Sequence, residues 1–342
     1  MKRGRGLFLL GLAAALACLS MVALCVGAVK IPPREILEAL TGRALDAKLE
    51  TVVWHLRVPR VLLGIMVGAA LSVAGALMQG LFRNPLADPG LIGISSGAAL
   101  GAVFVITLGG VVLPEAPLLS DMRLLPVSAF VGALIVALIV QRLAATSGYT
   151  SVATVLLVGI AVNSLATAVI GLSTFLATDT QMRALSFWML GSLGAADWKM
   201  IGIAAPFCLG LTAVAPLFAP ALNAFALGEA EAGHLGYSIE RTKKLLIVVT
   251  AAGVGACVAF TGLIGFVGLV VPHLVRLWIG PDHRWLVPGS VLLGGILLTL
   301  ADTIARTVVA PAELPIGILT AAFGGPFFLL LLLRARRRAL WG

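Results

Sequence analysis

The chain has 342 residues, 60% of them hydrophobic and 11% charged, with a mean hydropathy of +1.08 and a formal net charge of +9. A soluble domain is about 45–50% apolar and roughly 25% charged, so this composition excludes a soluble globular protein and makes lipid the solvent for most of the chain. The positive charge does not point to nucleic acid, because it sits in short loops and at the ends, with no aromatic-rich basic patch for base stacking.

The apolar runs are long and unalternated, which specifies helices rather than a barrel. Ten are legible, at 7–29, 59–81, 91–112, 124–141, 152–175, 200–219, 245–262, 264–279, 286–306 and 316–333. An all-α polytopic membrane protein follows, as one transmembrane domain over 1–342. The first run exceeds the apolar stretch of about 7–15 residues in a signal peptide, so a retained first helix is expected. Ten spans put both termini on one side. With that side cytoplasmic, 14 Lys and Arg lie inside and 10 outside, six of the ten in the single loop 30–60.

That loop ends in Leu56-Arg57-Val58-Pro59-Arg60, just before the second run. Arginines at a helix end ordinarily snorkel to headgroups. Arg306, at the end of the ninth run, lies one turn beyond Asp302 on the same face, and an embedded Asp–Arg pair marks function more often than structure. Arg57, Arg60 and Arg306 together could bind the carboxylates of an acidic partner.

The second run closes at a polar knot, GLFRNPLADPGLIGISSGAALGA (80–102). Pro85 and Pro89 prevent one helix from running into the next. Gly93–Gly97 fits G-x-S-x-G, but a nucleophile elbow follows a strand and needs acid and histidine partners. No strand pattern precedes it, and His273 is the one histidine near a span. Ser95 and Ser96 therefore read as the start of a helix, with an intramembrane serine hydrolase at Ser95 as an alternative of another class. Small residues recur at packing distance in Gly64/Gly68, Ser72/Ala76 and Gly97/Gly101.

Further along, 222–244 is polar, with apolar positions at helical spacing until Gly233 and Gly236. It reads either as an amphipathic surface helix or as a pair of short helices docking into another protein. The eighth run is short and interrupted by Gly262, Gly265, Gly268 and Pro272. Cys18, Cys25, Cys208 and Cys257 lie in apolar runs and read as small buried hydrophobes. His55, His234, His273 and His283 are scattered, so no protein metal site is expected. No lysine follows a glycine, which excludes G-x-x-x-x-G-K-[ST]. Nucleotide-driven work would need a separate ATP-binding subunit.

The stretch RVPRVLLGIMVGAALSVAGALMQGLFRNPLADPGLIGISSGAALGA resembles the permease subunits of type II ABC importers for ferric siderophores, haem and vitamin B12. So do WMLGSLGAADW (188–198), ALGEAEAGHLG (226–236), GLIGFVGLVVPHLVRLWIGPDHRWLVP (262–288) and ELPIGILTAAFGGPFFLLLL (313–332). The resemblance covers nearly the whole chain. It implies ten helices per subunit, a homodimer in the bacterial inner membrane, two cytoplasmic ABC ATPases that carry ATP and Mg²⁺, and a periplasmic substrate-binding protein. It implies alternating access as the mechanism, with no cofactor on this chain. It places binding-protein docking on Arg57, Arg60 and Arg306, and ATPase coupling on Leu227, Gly228, Glu229, Ala232, Leu235 and Gly236. It places a cytoplasmic gate on Asn84, with Thr150 and Ser151 at the start of the fifth span. ATDTQMRALSFWMLGSLGAADW (177–198) is closest to haem importers, with ferric siderophore and then cobalamin as alternatives. A secondary transporter would need embedded carboxylates or unwound helices, and Asp302, which Arg306 could neutralise, is the single embedded acid.

Overall fold

The computed structural model describes residues 2–27, 29–42, 46–108, 124–146 and 149–340. Arg43, Arg123 and the end of the predicted 91–112 span lie outside them. Helix α1 is Lys2–Cys25, and α2 (Pro33–Leu40) and α3 (Ala47–Thr51) follow it. A π-helical turn, Val52–Arg57, joins α3 directly to α4, Val58–Leu81. A 3₁₀ turn, Pro89–Ile92, leads into α5 (Ile94–Val103), which is prolonged by π-helical Phe104–Leu108. Next come α6 (Leu125–Ala144), the two-residue strands β1 (Ala145–Thr146) and β2 (Tyr149–Thr150), α7 (Val152–Leu176) and α8 (Asp179–Leu190). The chain closes with α9 (Trp198–Phe225), α10 (Glu229–His234), α11 (Ile239–Thr261), α12 (Val267–Ile279), α13 (His283–Ala305) and α14 (Ile316–Leu340).

Among the described residues, 7 helices are long and apolar enough to cross a membrane. Three shorter apolar helices, Ile94–Thr107, Val267–Ile279 and Ile316–Leu331, occupy the three remaining predicted positions. The predicted span at 59–81 needs extending. It is the second half of a continuous helix, Ala47–Leu81, so the Arg57–Arg60 motif lies inside a helix and not in a loop. Pro59 lacks an N–H and crowds the preceding turn. The wider π turn just before it lets the helix pass through. Helix α8 does not appear as an apolar run. Its N-terminus is a capping box: Thr178 Oγ1 accepts from Gln181 N, and Thr178 N donates to Gln181 Oε1 at 2.9 Å.

Helix α4 is the hub of the bundle, with 83% of its spanning window buried, and α13, α9, α12 and α11 pack around it. Lipid tails are as apolar as leucine, so helices here associate by close fit and not by the hydrophobic effect. The fit is backbone against backbone. A Cβ on Gly68 would lie 2.2 Å from the Gly294 carbonyl, and one on Gly75 would lie 1.7 Å from that of Gly268. The Gly97/Gly101 spacing does the same between α5 and α6, where added Cβ atoms would meet the Gly132 and Ser128 carbonyls at 2.4 and 2.1 Å.

Gly268 and Pro272 do not break the eighth predicted span; both lie inside α12. Pro272 leaves the Gly268 carbonyl without its helical donor. Buried Gln79 of α4 supplies one, with Nε2 3.4 Å from Gly268 O and 3.3 Å from Leu269 O, while its Oε1 accepts from Arg276 at 2.9 Å. Gln79→Leu is expected to cost about 1–3 kcal/mol, because it strands a buried carbonyl and a partly buried guanidinium. A thermal midpoint in detergent unchanged from wild type would contradict this.

Candidate functional site

The 24 residues of α4 span about 36 Å at 1.5 Å per residue, and the polar residues of interest gather at its two ends. At the Arg60 end, the sequence-predicted arginines come together around one cavity of about 270 Å³, also lined by Gly27, Gly194 and Glu313. Their guanidinium groups are engaged within the chain. Arg60 Nε lies 3.0 Å from both Asp302 carboxylate oxygens, and its Nη2 is 2.9 Å from Oδ1. The same group makes a second two-pronged contact, Nη1 to Glu313 Oε1 at 2.8 Å and Nη2 to Oε2 at 2.9 Å. Arg57 donates to the carbonyls of Leu24 and Val29, and Arg306 donates to that of Ala23. These two arginines therefore hold the carbonyl end of α1, where cations are favoured. They are only 5% and 6% exposed.

Two readings at this end change. Arg60, from a different helix, is the main partner of Asp302. Arg306, one turn away on the same helix, approaches only to 3.7 Å. Glu313 completes the cluster and was visible in sequence only as the first residue of a matched motif. Three guanidiniums against two carboxylates leave one formal positive charge. The hydrogen bonds from Arg60 hold the Glu313 carboxyl below the usual carboxylate range, and burial opposes them only partly. A folded-state pKa below the unfolded value means stability that is present above about pH 4.3 and lost as pH falls through the folded value. Glu313→Gln is expected to flatten that acid limb. Parallel melting-versus-pH curves for variant and wild type would refute the assignment.

At the Leu81 end, Arg83 and Asn84 turn the chain. Asn84 is exposed, and its Oδ1 accepts from Leu86 N at 2.9 Å. The Asp88 side chain accepts from Gly90 N at 2.7 Å and starts the 3₁₀ turn. Ser95 and Ser96 open α5, as expected. Ser96 Oγ donates to Asn163 Oδ1 at 2.6 Å, and Asn163 Nδ2 reaches the Gly90 carbonyl at 3.3 Å, so the knot is tied to α7. Both His273 ring nitrogens are buried without a partner among the described residues, and the ring meets Phe327 edge-on. No Ser95–His273 pair forms.

The polar segment 222–244 holds one separate short helix, not two. Residues 222–225 finish α9, and 239–244 open α11. Helix α10 lies between them, entered at Gly228 (φ +131°) and left at Gly236 (φ +90°). A Cβ on Gly228 would meet Glu231 Oε2 at 2.0 Å. Leu227 and Leu235 flank α10 and are 68% and 62% exposed, whereas Ala232 is fully buried. Glu229 Oε2 pairs with Lys243 Nζ at 2.8 Å. Thr150 is buried at the end of β2, and Ser151 precedes α7. Thr150 lines one small crevice with Leu81, Phe82 and Lys243, so the predicted gate and coupling regions meet at this end of α4. Lys243 escaped sequence reading because it entered only the count of basic residues on the cytoplasmic side.

Cys208 and Cys257 are buried and free, as expected, and their sulfurs lie 3.6 Å apart between α9 and α11. Cys18 is exposed, not buried.

Residues 14–334 match the model of the FecCD transport family. The chain belongs to that family. It is 47% identical over 305 residues to the hemin transport system permease protein of Yersinia pestis, covering 88% of this chain and 90% of that one. It is 44% identical over 293 residues to the cobalamin import system permease protein of Halobacterium salinarum, covering 85% and 76%. It is 40% identical over 331 residues to the vitamin B12 import system permease protein of Klebsiella pneumoniae, covering 97% and 95%. Its fold superposes with a TM-score of 0.81 on a solved inward-facing metal-chelate type ABC transporter, at 28% identity and covering 95% of this chain and 98% of that one. This chain is a polytopic permease subunit of a type II ABC importer, with that architecture.

Proposed function

We propose that this permease imports haem from the periplasm to the cytoplasm across the bacterial inner membrane, as a homodimer working by alternating access. The observation that carries this reading is the segregation of polar groups. One end of α4 holds an arginine–carboxylate cluster, and the other holds α10, flanked by two exposed leucines, beside Thr150. In this reading the first end faces the periplasm, and Arg57, Arg60 and Arg306 shape the surface that receives the substrate-binding protein. The second end faces the cytoplasm with both termini. There Leu227, Gly228, Glu229, Ala232, Leu235 and Gly236 form the contact with a separate ATPase that binds ATP and Mg²⁺. Asn84, Thr150 and Ser151 line the gate. Exposed leucines on either side of a short polar helix are what a protein partner would cover.

Haem as cargo is supported by the 177–198 stretch and by the 47% identical relative. The cobalamin permeases stand close enough in identity to make cobalamin, with ferric siderophore, the alternative cargo. The test is uptake of radiolabelled hemin, ferric siderophore and cobalamin into vesicles holding the chain with its ATPase and binding protein. ATP-dependent accumulation of hemin alone is expected. Accumulation of either other cargo in its place overturns haem. A chain that neither associates with an ABC ATPase nor supports uptake of any of the three overturns the whole reading.

A further inference from the structure

We propose that Lys243 is the positioning residue that makes α10 and the start of α7 move as one body, a role that rests on the coupling and gate reading above. Lys243 lies one turn into α11 and is 2% exposed. Its ammonium is 2.7 Å from the Thr150 carbonyl, 2.8 Å from Glu229 Oε2 and 3.3 Å from Glu240 Oε1. Those three acceptors belong to three different elements: the end of β2, the first residue of α10 and the first turn of α11.

A buried ammonium is held only where acceptors replace its water. Bonds from a charged donor are about twice as strong as neutral ones. The crevice beside it has a volume of about 10 Å³, at the lower limit of what one water needs. If α10 shifts and Thr150 stays, the ammonium must give up Glu229 or Thr150, with little solvent room to compensate. The path that keeps both contacts moves Glu229, Lys243 and Thr150 together. Ser151 and α7 follow directly in the chain. The crevice also touches Leu81 and Phe82, so the same joint borders the turn that carries Asn84.

The test uses the full complex of chain, ATPase and binding protein in vesicles. A Ser151→Cys reporter is labelled with a maleimide, read above the native cysteines, with and without ATP. In the Lys243-containing chain, ATP is expected to change the labelling rate. Lys243→Met is expected to cut that change, and cargo moved per ATP hydrolysed, by about tenfold. Lys243→Arg, which keeps a buried cation, is expected to restore both; a purely structural role in α11 would move stability but not this ratio. An unchanged labelling response and ratio in Lys243→Met overturns the proposal. If Lys243→Met fails to accumulate, Glu229→Gln is read the same way, and an unchanged response there overturns it equally. If the Lys243-containing chain itself binds no ATPase, the importer reading falls first, and this inference falls with it.

Discussion

Replacing Gly75 by leucine is expected to leave no folded protein. The Cβ alone would lie 1.7 Å from the Gly268 carbonyl oxygen and 2.4 Å from its carbon. Overpacking usually costs about 1–3 kcal/mol, because crowded side chains turn into other rotamers. A backbone carbonyl has no other rotamer, so α4 and α12 must separate. That separation also pulls Gln79 away from the carbonyl that Pro272 leaves without a donor. Even Gly75→Ala is expected to reach the upper end of that range, a large part of a total stability of about 5–15 kcal/mol. Gly171→Leu is the matched control, since nothing lies within 4 Å of its added Cβ. Monodispersity and thermal midpoint of the detergent-extracted variants decide the matter. Equal behaviour of the Gly75 and Gly171 variants would show that the α4–α12 contact is not as close as described.

The second large effect is expected at Asp302. It is 3% exposed and faces Arg60 on one side and Arg306 on the other. Asp302→Leu removes the carboxylate that is buried with them and, among the described residues, leaves Arg60 with half-exposed Glu313. Breaking a buried ion pair from one side costs about 3–5 kcal/mol, most of it the penalty of a stranded charge. Arg60→Met combined with Asp302→Leu removes both charges, and is expected to be less damaging than Asp302→Leu alone. The double-mutant cycle should show a coupling of about 1 kcal/mol or more between these touching residues. Additive losses would mean that the two side chains do not act as a pair.

Much of this molecule is legible from residue order alone. Runs of apolar residues mark the helices because lipid demands internally bonded backbone. Ser95 and Ser96 read correctly as a helix start because no strand precedes them. Gly97 and Gly101 read correctly as packing positions because their spacing places both on one helix face. The misreadings have a common physical origin in contacts between distant parts of the chain. Pro272 looked like a break because its compensating donor, Gln79, lies on another helix. Arg306 looked like the partner of Asp302 because sequence shows neighbours one turn apart and hides Arg60 across the bundle. Lys243 was passed over because Glu229 and the Thr150 carbonyl come to it only in the fold. Helix α8 was hidden for another reason: its signal is a Thr-x-x-Gln cap and not an apolar run.

The glycine contacts around α4 have an entropic consequence. Fixing a buried leucine costs about 0.5–1 kcal/mol of rotamer freedom, and longer flexible side chains cost more. Where Gly75 meets the Gly268 carbonyl and Gly68 meets that of Gly294, neither partner has a rotamer to lose. At these two contacts α4 thus docks against α12 and α13 with almost no side-chain ordering, in a solvent that supplies no hydrophobic drive to offset such ordering.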